Sequence, residues 1–359
     1  MSNGNAFVIG ATGQIGRAAV RALAADGWQV RAASRHGARD ERWPEDVRTV
    51  TVDREDDAAL AAALGDGCDV LLDCVAYGAR HAGQLLGLAD RIGSAVVISS
   101  CSVYRDEQDR SFDTQDEPDG FPEFPVPIPE SQPTVPPSED TYSTAKVALE
   151  QELLGAGDRL PTTLLRAGAI HGPYSPLPRE AYFIKRVLDG RPVRILAHGG
   201  ASRFHPVHVD NLAELIRLAA RRPGSRALDA GDPQAPTVAE IAAAVDSAMG
   251  ATSELITIDG EPPRPGLGQT PWSTPRPVVL DMSAAERELG YRAATGYVES
   301  LPETVEWTAR QLADGRDWTL AFPLMAKAYA PPRDLFDYAT EDAWLAESGR
   351  GGLGGLGGR

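Results

Sequence analysis

The sequence predicts an α/β fold: a doubly wound parallel sheet followed by a smaller mixed α/β part. Three observations carry this. Short apolar runs alternate with alanine-rich helical stretches through the first hundred residues, the apolar runs are nearly continuous, and a glycine-rich turn joins the first run to the first helical stretch. Alternating strand and helix gives parallel βαβ units. Continuous apolar strands are what a sheet covered on both faces requires.

Taken in order, Ala6–Ile9 reads as the first strand, Gln14–Ala25 as a helix, and Trp28–Ala33 and Val47–Val52 as the next two strands. A helix at Asp57–Leu64, a strand at Asp69–Val75, a helix near Ala82–Ile92 and a strand at Ala95–Ser99 follow. Residues 105–140 break the rhythm with eight prolines and an acidic bias, and read as a long surface loop. Helical patterning returns at Thr141–Leu154 and stops at Gly155 and Gly157, after which Thr162–Ile170 reads as a buried strand. From Pro173 the pattern is mixed: a helix around Tyr182–Leu188, a strand at Val193–Leu196, and helices at Asn211–Arg221 and Val238–Met249. The expected division is a first domain over 1–172 with return segments from the C-terminal half, a second over 173–315, an extension over 316–348 and a glycine-rich tail over 349–359. The tail carries too little apolar area to offset the entropy of ordering it.

Composition excludes several function classes. The net charge of −16 disfavours a nucleic-acid partner. No run approaches the roughly eighteen apolar residues that span a bilayer, and residues 1–5 lack the basic and apolar regions of a signal peptide. Three cysteines without paired spacing suit a reducing compartment, so the cytoplasm is expected. His205, His208 and Asp210 are the nearest approach to a metal set. Two histidines three apart on a strand point to opposite faces, and no metal is expected.

Gly10, Gly13 and Gly16 in AFVIGATGQIGRAAV lie where strand hands over to helix. The first permits a tight turn, the second lets backbone approach a pyrophosphate, and the third lets helix and strand pack closely. The N–H groups at the helix start then face the anion. The pattern predicts a dinucleotide cradle of the Rossmann type. At the end of the second strand an acidic residue would bind a ribose 2′-hydroxyl, but the chain has Ser34 and Arg35, which favours NADP over NAD. Asp53, after the third strand, is a candidate for the adenine amino group.

Tyr142 and Lys146 are four apart in TYSTAKVALEQ and share one helix face. A neighbouring ammonium is expected to lower the phenol's pKa and prepare Tyr142 as proton donor to a carbonyl or base toward an alcohol. Lysine has donors to spare for a nicotinamide ribose. Ser99, Ser100 and Ser102 sit at the carboxyl end of AVVISSCSVY, where α/β sheets bind ligands, and a hydroxyl there would stabilise charge on a substrate oxygen.

Together these residues resemble the extended short-chain dehydrogenase/reductase family, which includes sugar-nucleotide epimerases and dehydratases. The resemblance runs from Ala6 to about Trp307, through GATGQIG, ISSCSVY, YSTAK, RAGAIHGP, RFHPVHVDNLAELI and ELGYRAATGYVESLPETVEW. It implies a catalytic Ser100, Tyr142 and Lys146. For the cofactor it implies contacts from Thr12, Gln14, Ile15, Val75 and Ala76 besides the residues above, and for the substrate contacts from Ser100, Cys101, His171 and, through a diphosphate, Arg203. It also implies a nucleotide-binding first domain, a substrate-binding second domain, and a homodimer formed through the Tyr142 helix and the Ala82–Ile92 helix. Departures narrow the chemistry. Cys101 and Ser102 replace the acidic pair of sugar dehydratases, and Arg105–Phe124 looks like an insertion. The expected function is hydride transfer to or from a carbonyl or secondary alcohol of a small molecule, as an NAD(P)-dependent reductase. A sugar-nucleotide epimerase that retains NAD, and a non-catalytic NADP-sensing regulator, are the alternatives.

Overall fold

Residues 5–9, NAFVI, show how the architecture follows from the chain. Ala6 and Val8 belong to one buried apolar cluster and Phe7 and Ile9 to another, because successive side chains of a strand leave opposite faces of the sheet. Both faces are therefore covered, and polar alternation is absent. The computed structural model describes residues 3–329 and 334–349; the glycine-rich tail beyond 349 lies outside the described residues.

The elements run β1 (Asn5–Ile9), α1 (Gln14–Ala25), β2 (Gln29–Ser34), β3 (Arg48–Thr51), α2 (Asp57–Leu64), β4 (Cys68–Asp73), α3 (Ala79–Gly87), β5 (Ile92–Ser100), α4 (Tyr142–Gly155), β6 (Thr162–Ala167), β7 (Ala169–His171), α5 (Ala181–Leu188), β8 (Val193–Leu196), β9 (Pro206–His208), α6 (Val209–Arg221), β10 (Arg226–Ala230), α7 (Val238–Ala248), β11 (Glu254–Thr257), α8 (Ser283–Leu289) and α9 (Tyr297–Gln311). Shorter helices α10 (Trp318–Ala321) and α11 (Pro323–Ala328) precede α12 (Tyr338–Glu347).

Seven strands form one sheet in the order β10-β6-β5-β4-β1-β2-β3, with every pair parallel. The register aligns Ile9 with Ala33 and Asp73, Asp73 with Val97, and Ser100 with Ala167, so the carboxyl ends form one edge. Strand order reverses at β1, between β2 and β4, which opens the crevice where α/β sheets bind ligands. Val20, Leu23, Leu212, Leu215 and Ala285 cover one face, and Leu60, Leu64, Leu85, Leu149 and Leu153 the other.

Several boundaries differ from the sequence reading. The expected strand 162–170 is two strands in two sheets. Gly168 separates them, its N–H bonding to Ala230, in a place where a Cβ would lie 2.4 Å from the carbonyl oxygen of His205. The helix expected to reach Ile92 ends at Gly87, and Ile92 already starts β5.

Residues 105–140 are not a solvated loop. Phe121, Phe124, Ile128 and Val135 are buried, and the buried carboxylate of Asp106 accepts from the backbone of Gln108, Arg110 and Glu123 and from the Arg110 side chain. Prolines deny this segment any periodicity, so its packing has no sequence signature.

The chain divides into two compact units, one made of residues 1–174, 205–235 and 276–300, the other of 175–204, 236–275 and 301–359. Within the second, β8 and β11 pair in parallel. Leu345 of α12 joins Val193, Ile195, Ile256 and Leu267 in a core. The fully buried Arg186 bonds to the Leu335 carbonyl at 2.8 Å and to Glu341, with its guanidinium 3.7 Å from the Tyr182 ring centroid. The C-terminal extension is thus part of this unit's core.

In the first unit, Glu150 and Arg166 form a buried pair at 2.6 Å, with Ser99 donating to Glu150 and Arg166 also reaching the Tyr104 hydroxyl and the Glu130 carbonyl. Replacing Arg166 by Met leaves a buried carboxylate without its cation. The expected loss is about 3–5 kcal/mol of unfolding free energy, read from denaturant midpoints, and a loss below about 1 kcal/mol would show that solvent reaches the pair.

Candidate functional site

The chemistry-bearing residues collect at the carboxyl edge of the first unit's sheet. The glycine turn leaves β1 with Gly10 at φ +80°, a conformation in which side chains are strained. A Cβ on Gly16 would stand 2.2 Å from the Gly10 carbonyl oxygen, so helix and turn can approach only with glycine there. Helix α1 has Gly13 as its N-cap, with no side-chain cap and no acidic residue in its first turn, which leaves its positive end open to an anion. Thr12 and Ile15 are half-buried in this turn, and the Gln14 side chain donates to the Gly172 carbonyl at 3.2 Å.

At the end of β2 the Ser34 hydroxyl is buried without a hydrogen-bond partner, while Arg35 is exposed. An orphaned hydroxyl, a free guanidinium and an uncapped helix start fit the ribose and phosphates of a dinucleotide. Asp53 is exposed, and its carboxylate accepts the Glu55 N–H at 3.0 Å, so it also serves its own turn.

Past the end of β4 the chain turns through Val75, Ala76 and Tyr77. The Asp73 carboxylate fixes this turn, taking the N–H groups of Val75 and Ala76 on one oxygen and the Arg54 guanidinium on the other. Val75 and Tyr77 are among the few exposed large apolar side chains, and the Tyr77 ring stands edge-on to Tyr142 with centroids 5.6 Å apart. Apolar surface at the mouth of a crevice is the expected lining for a flat ring or an apolar substrate face.

Helix α4 begins where Thr141 caps it, its hydroxyl accepting the Thr144 N–H. Tyr142, Lys146 and Glu150 follow at helical spacing along one stripe. Lys146 is 5% exposed, and its ammonium donates to the carbonyls of Ala76 at 2.6 Å and Ile98 at 2.8 Å. Burial lowers its pKa to about 8 against the opposing pull of Asp73 and Glu150.

Tyr142 is 45% exposed. Desolvation at its hydroxyl raises the pKa above the ordinary 10, and a hydrogen bond from Ser100 partly offsets this. Ser100 is oriented for that role, since its oxygen accepts the Ser102 N–H at 3.1 Å. The expectation that Lys146 would depress the tyrosine is corrected here. The ammonium is held by two carbonyls 5.6 Å from the centre of the phenol ring, and the phenol remains protonated at neutral pH.

Of the other candidates, Cys101 stays beside the phenol, where it acts electrostatically on Tyr142. Cys101 is buried directly after Ser100. His171 is 1% exposed, bonded to Asp232 at 2.8 Å and packed against the rings of His208 and Tyr297, which makes it a core histidine and not one open to a ligand. Arg203 is exposed in the second unit. His205 and His208 both bond around Asp232, and among the described residues no cluster of three or more His, Cys, Asp or Glu could hold a metal. Sequence reasoning missed Arg54, Asp73 and Tyr77, whose roles arise from packing between distant segments; only the nearly unbroken apolar run into Asp73 marked that residue as unusual.

The profile of the NAD dependent epimerase/dehydratase family matches residues 6–231. Among solved structures, the UDP-N-acetylglucosamine 4-epimerase from Methanobrevibacter ruminantium M1, in complex with UDP-N-acetylmuramic acid, is 19% identical with a TM-score of 0.66, covering 87% of this chain and 100% of its own. The Thermus thermophilus UDP-glucose 4-epimerase in complex with NAD is 22% identical with a TM-score of 0.61, covering 85% and 99%. The Bordetella bronchiseptica enzyme WbmF in complex with NAD+ is 20% identical with a TM-score of 0.62, covering 91% and 97%. These likenesses show a shared fold. Curated proteins yielded no match, and among the described residues no helix is long and apolar enough to cross a membrane.

The state of Lys146 is open to measurement. Below pH 8 its buried charge opposes folding in full. Between 8 and 10.5 the folded chain has released a proton that the unfolded chain still holds, so stability rises with pH. The unfolding free energy of the wild type, minus that of Lys146→Met, should climb across this window by at most about 3 kcal/mol; a flat difference would show a solvated ammonium.

Proposed function

Because this chain belongs to the NAD dependent epimerase/dehydratase family, we propose that it is a nucleotide-dependent enzyme in which Tyr142 exchanges a proton with the oxygen of a substrate carbon that gains or loses hydride. The observation that carries this reading is the convergence of Ser100, Tyr142 and Lys146 beside a turn that fits a dinucleotide. When bound, the nicotinamide supplies hydride or accepts it.

The chain's own groups do the rest. The Ser100 hydroxyl and the Tyr142 hydroxyl bracket the reacting oxygen, and Ser100 stabilises charge as it develops there. Tyr142, a phenol neutral at physiological pH and kept so by the loss of solvation at its hydroxyl, gives its proton to a carbonyl oxygen being reduced. Lys146 holds the Ala76 turn and β5 together beneath the phenol, and its third N–H is available to a ribose hydroxyl. Val75 and Tyr77 supply apolar surface at the opening.

A protonated tyrosine is the form that donates to a carbonyl oxygen, and its conjugate base is the form that accepts from an alcohol. The orphaned Ser34 hydroxyl and the free Arg35 favour a dissociable NADP, so net reduction of a carbonyl is the first reading. The family and the UDP-sugar epimerases that share this fold support a second, in which the same carbon of a sugar nucleotide is oxidised and re-reduced with the cofactor retained.

In either case the first unit is taken as nucleotide-binding and the second as substrate-binding, with Arg203 the candidate for a substrate phosphate. A homodimer through α3 and α4 and a cytoplasmic location accord with the family and the three free thiols. The nucleotide-sensing alternative is weakened by the intact Tyr142–Lys146 pair.

Nicotinamide absorbance separates the two catalytic readings when the purified chain is given carbonyl compounds and UDP-sugars. Oxidised cofactor in step with product supports reduction, and isomerised sugar without net cofactor change supports epimerisation. Tyr142→Phe should lower turnover by at least about 10²-fold while nucleotide affinity stays within about twofold; retained turnover would remove Tyr142 from the mechanism. Arg35→Asp should weaken NADPH binding about tenfold or more and leave NADH binding intact. Equal effects on both nucleotides would place the guanidinium away from a 2′-phosphate.

A further inference from the structure

The turn that carries Tyr142 is gripped from outside its own helix. Thr141 and Ser143, on either side of the tyrosine, both donate their hydroxyl hydrogens to one carboxylate: Thr141 Oγ1 to Asp113 Oδ2 at 2.7 Å, and Ser143 Oγ to Asp113 Oδ1 at 2.8 Å. Asp113 belongs to the segment 105–124 that the sequence sets apart as an insertion. We propose that Asp113 is a positioning residue for Tyr142, and that the insertion serves to deliver this carboxylate to the two residues flanking the phenol. The inference rests on the reading of Tyr142 given above.

Four features support a positioning role over a role in starting the helix. Helix α4 already has its own cap, since the Thr141 hydroxyl accepts the Thr144 N–H and the Thr144 hydroxyl accepts the Thr141 N–H. Asp113 is therefore not needed to begin the helix. It adds a lateral restraint: the two oxygens of one rigid carboxylate fix the positions of residues 141 and 143, and with them the backbone from which Tyr142 projects. Thr141 can donate to Asp113 and still accept from Thr144, so cap and brace coexist on one hydroxyl. Ser143 is buried, and without Asp113 its hydroxyl would be left inside the protein without this acceptor.

A brace is useful only if it is itself anchored. Asp113 lies in a 3-10 turn, Phe112–Thr114, where its own N–H donates to Ser111 Oγ at 3.1 Å and Thr114 Oγ1 donates to the Gly120 carbonyl at 2.7 Å. Phe112 packs edge-on to Phe121 at 5.8 Å between centroids. Arg276 ties the far side of the insertion, donating to the Phe121 carbonyl at 2.5 Å and to Asp119 at 2.7 Å, and Asp106 gathers the segment's backbone N–H groups from within. The carboxylate is thus mounted on packed structure that runs back to the 276–280 segment.

The test compares the full-length wild type with Asp113→Ala and with the near-isosteric Asp113→Asn, which keeps one acceptor and loses the charge. For Asp113→Ala, kcat should fall about 10- to 100-fold, with KM within about threefold and nucleotide Kd within about twofold of wild type, and Asp113→Asn should fall between. Amide hydrogen exchange of residues 143–146 should accelerate about tenfold or more in Asp113→Ala, while the last turn of α4 keeps its wild-type rates. A wild-type kcat in either variant, or unchanged exchange in that first turn, overturns the proposal. If the wild-type chain turns over neither carbonyls nor nucleotide sugars, the Tyr142 reading fails instead, and the exchange result decides the brace by itself, with Asp113→Asn used should Asp113→Ala not fold.

Discussion

A buried ammonium must be hydrogen-bonded, and the placement of Lys146 under that constraint organises the site. Its two carbonyl partners come from different parts of the sheet edge, Ala76 beyond β4 and Ile98 within β5, while the lysine itself rides on α4. One side chain therefore locks two sheet segments to the helix that carries Tyr142. Each anchor is secured in turn. Asp73 and Arg54 hold the turn containing Ala76, and Glu150, one helical turn beyond Lys146, reaches Ser99 at the end of β5 and Arg166 in β6. The Arg54–Asp73 and Arg166–Glu150 charges are tolerated this deep because each is an ion pair with further hydrogen bonds, whereas the Lys146 ammonium has carbonyl acceptors alone and its pKa is lowered accordingly.

This arrangement assigns the phenol and the ammonium different duties. The lysine is spent on carbonyls and does not depress the tyrosine, whose hydroxyl loses solvation and stays protonated. Ser100 acts toward ionisation through a hydrogen bond, and its oxygen also accepts the Ser102 N–H. A proton held at Tyr142 and a hydroxyl beside it suit an oxygen that gains charge during reduction.

Identity to these three solved structures is 22% or lower, yet they cover 85% or more of this chain. Such a pattern is expected when architecture depends on binary patterning and a few backbone-critical positions while side chains vary around them. Gly10 and Gly16 are such positions, because turn and helix meet there at distances that exclude a Cβ. Between β5 and α4 the chain packs residues 105–140 onto the first unit, and its C-terminal residues complete the second unit's core around Arg186 and Leu345.

The order of residues alone was enough to read the parallel sheet, the glycine turn, the Tyr142–Lys146 stripe and Ser100 at a strand's carboxyl end, because each is written in local spacing: runs of apolar residues, glycines at a strand-to-helix junction, residues four apart on a helix. It could not reveal that 162–170 divides at Gly168, that His171 is bonded to Asp232, or that Asp113 would meet Thr141 and Ser143 some thirty residues later. Nor could it give the direction of the Tyr142 shift, where a lysine one turn away suggested depression and desolvation at the hydroxyl acts the other way. Those outcomes belong to the tertiary structure, because solvation and long-range hydrogen bonding depend on which segments meet, and no local pattern records that.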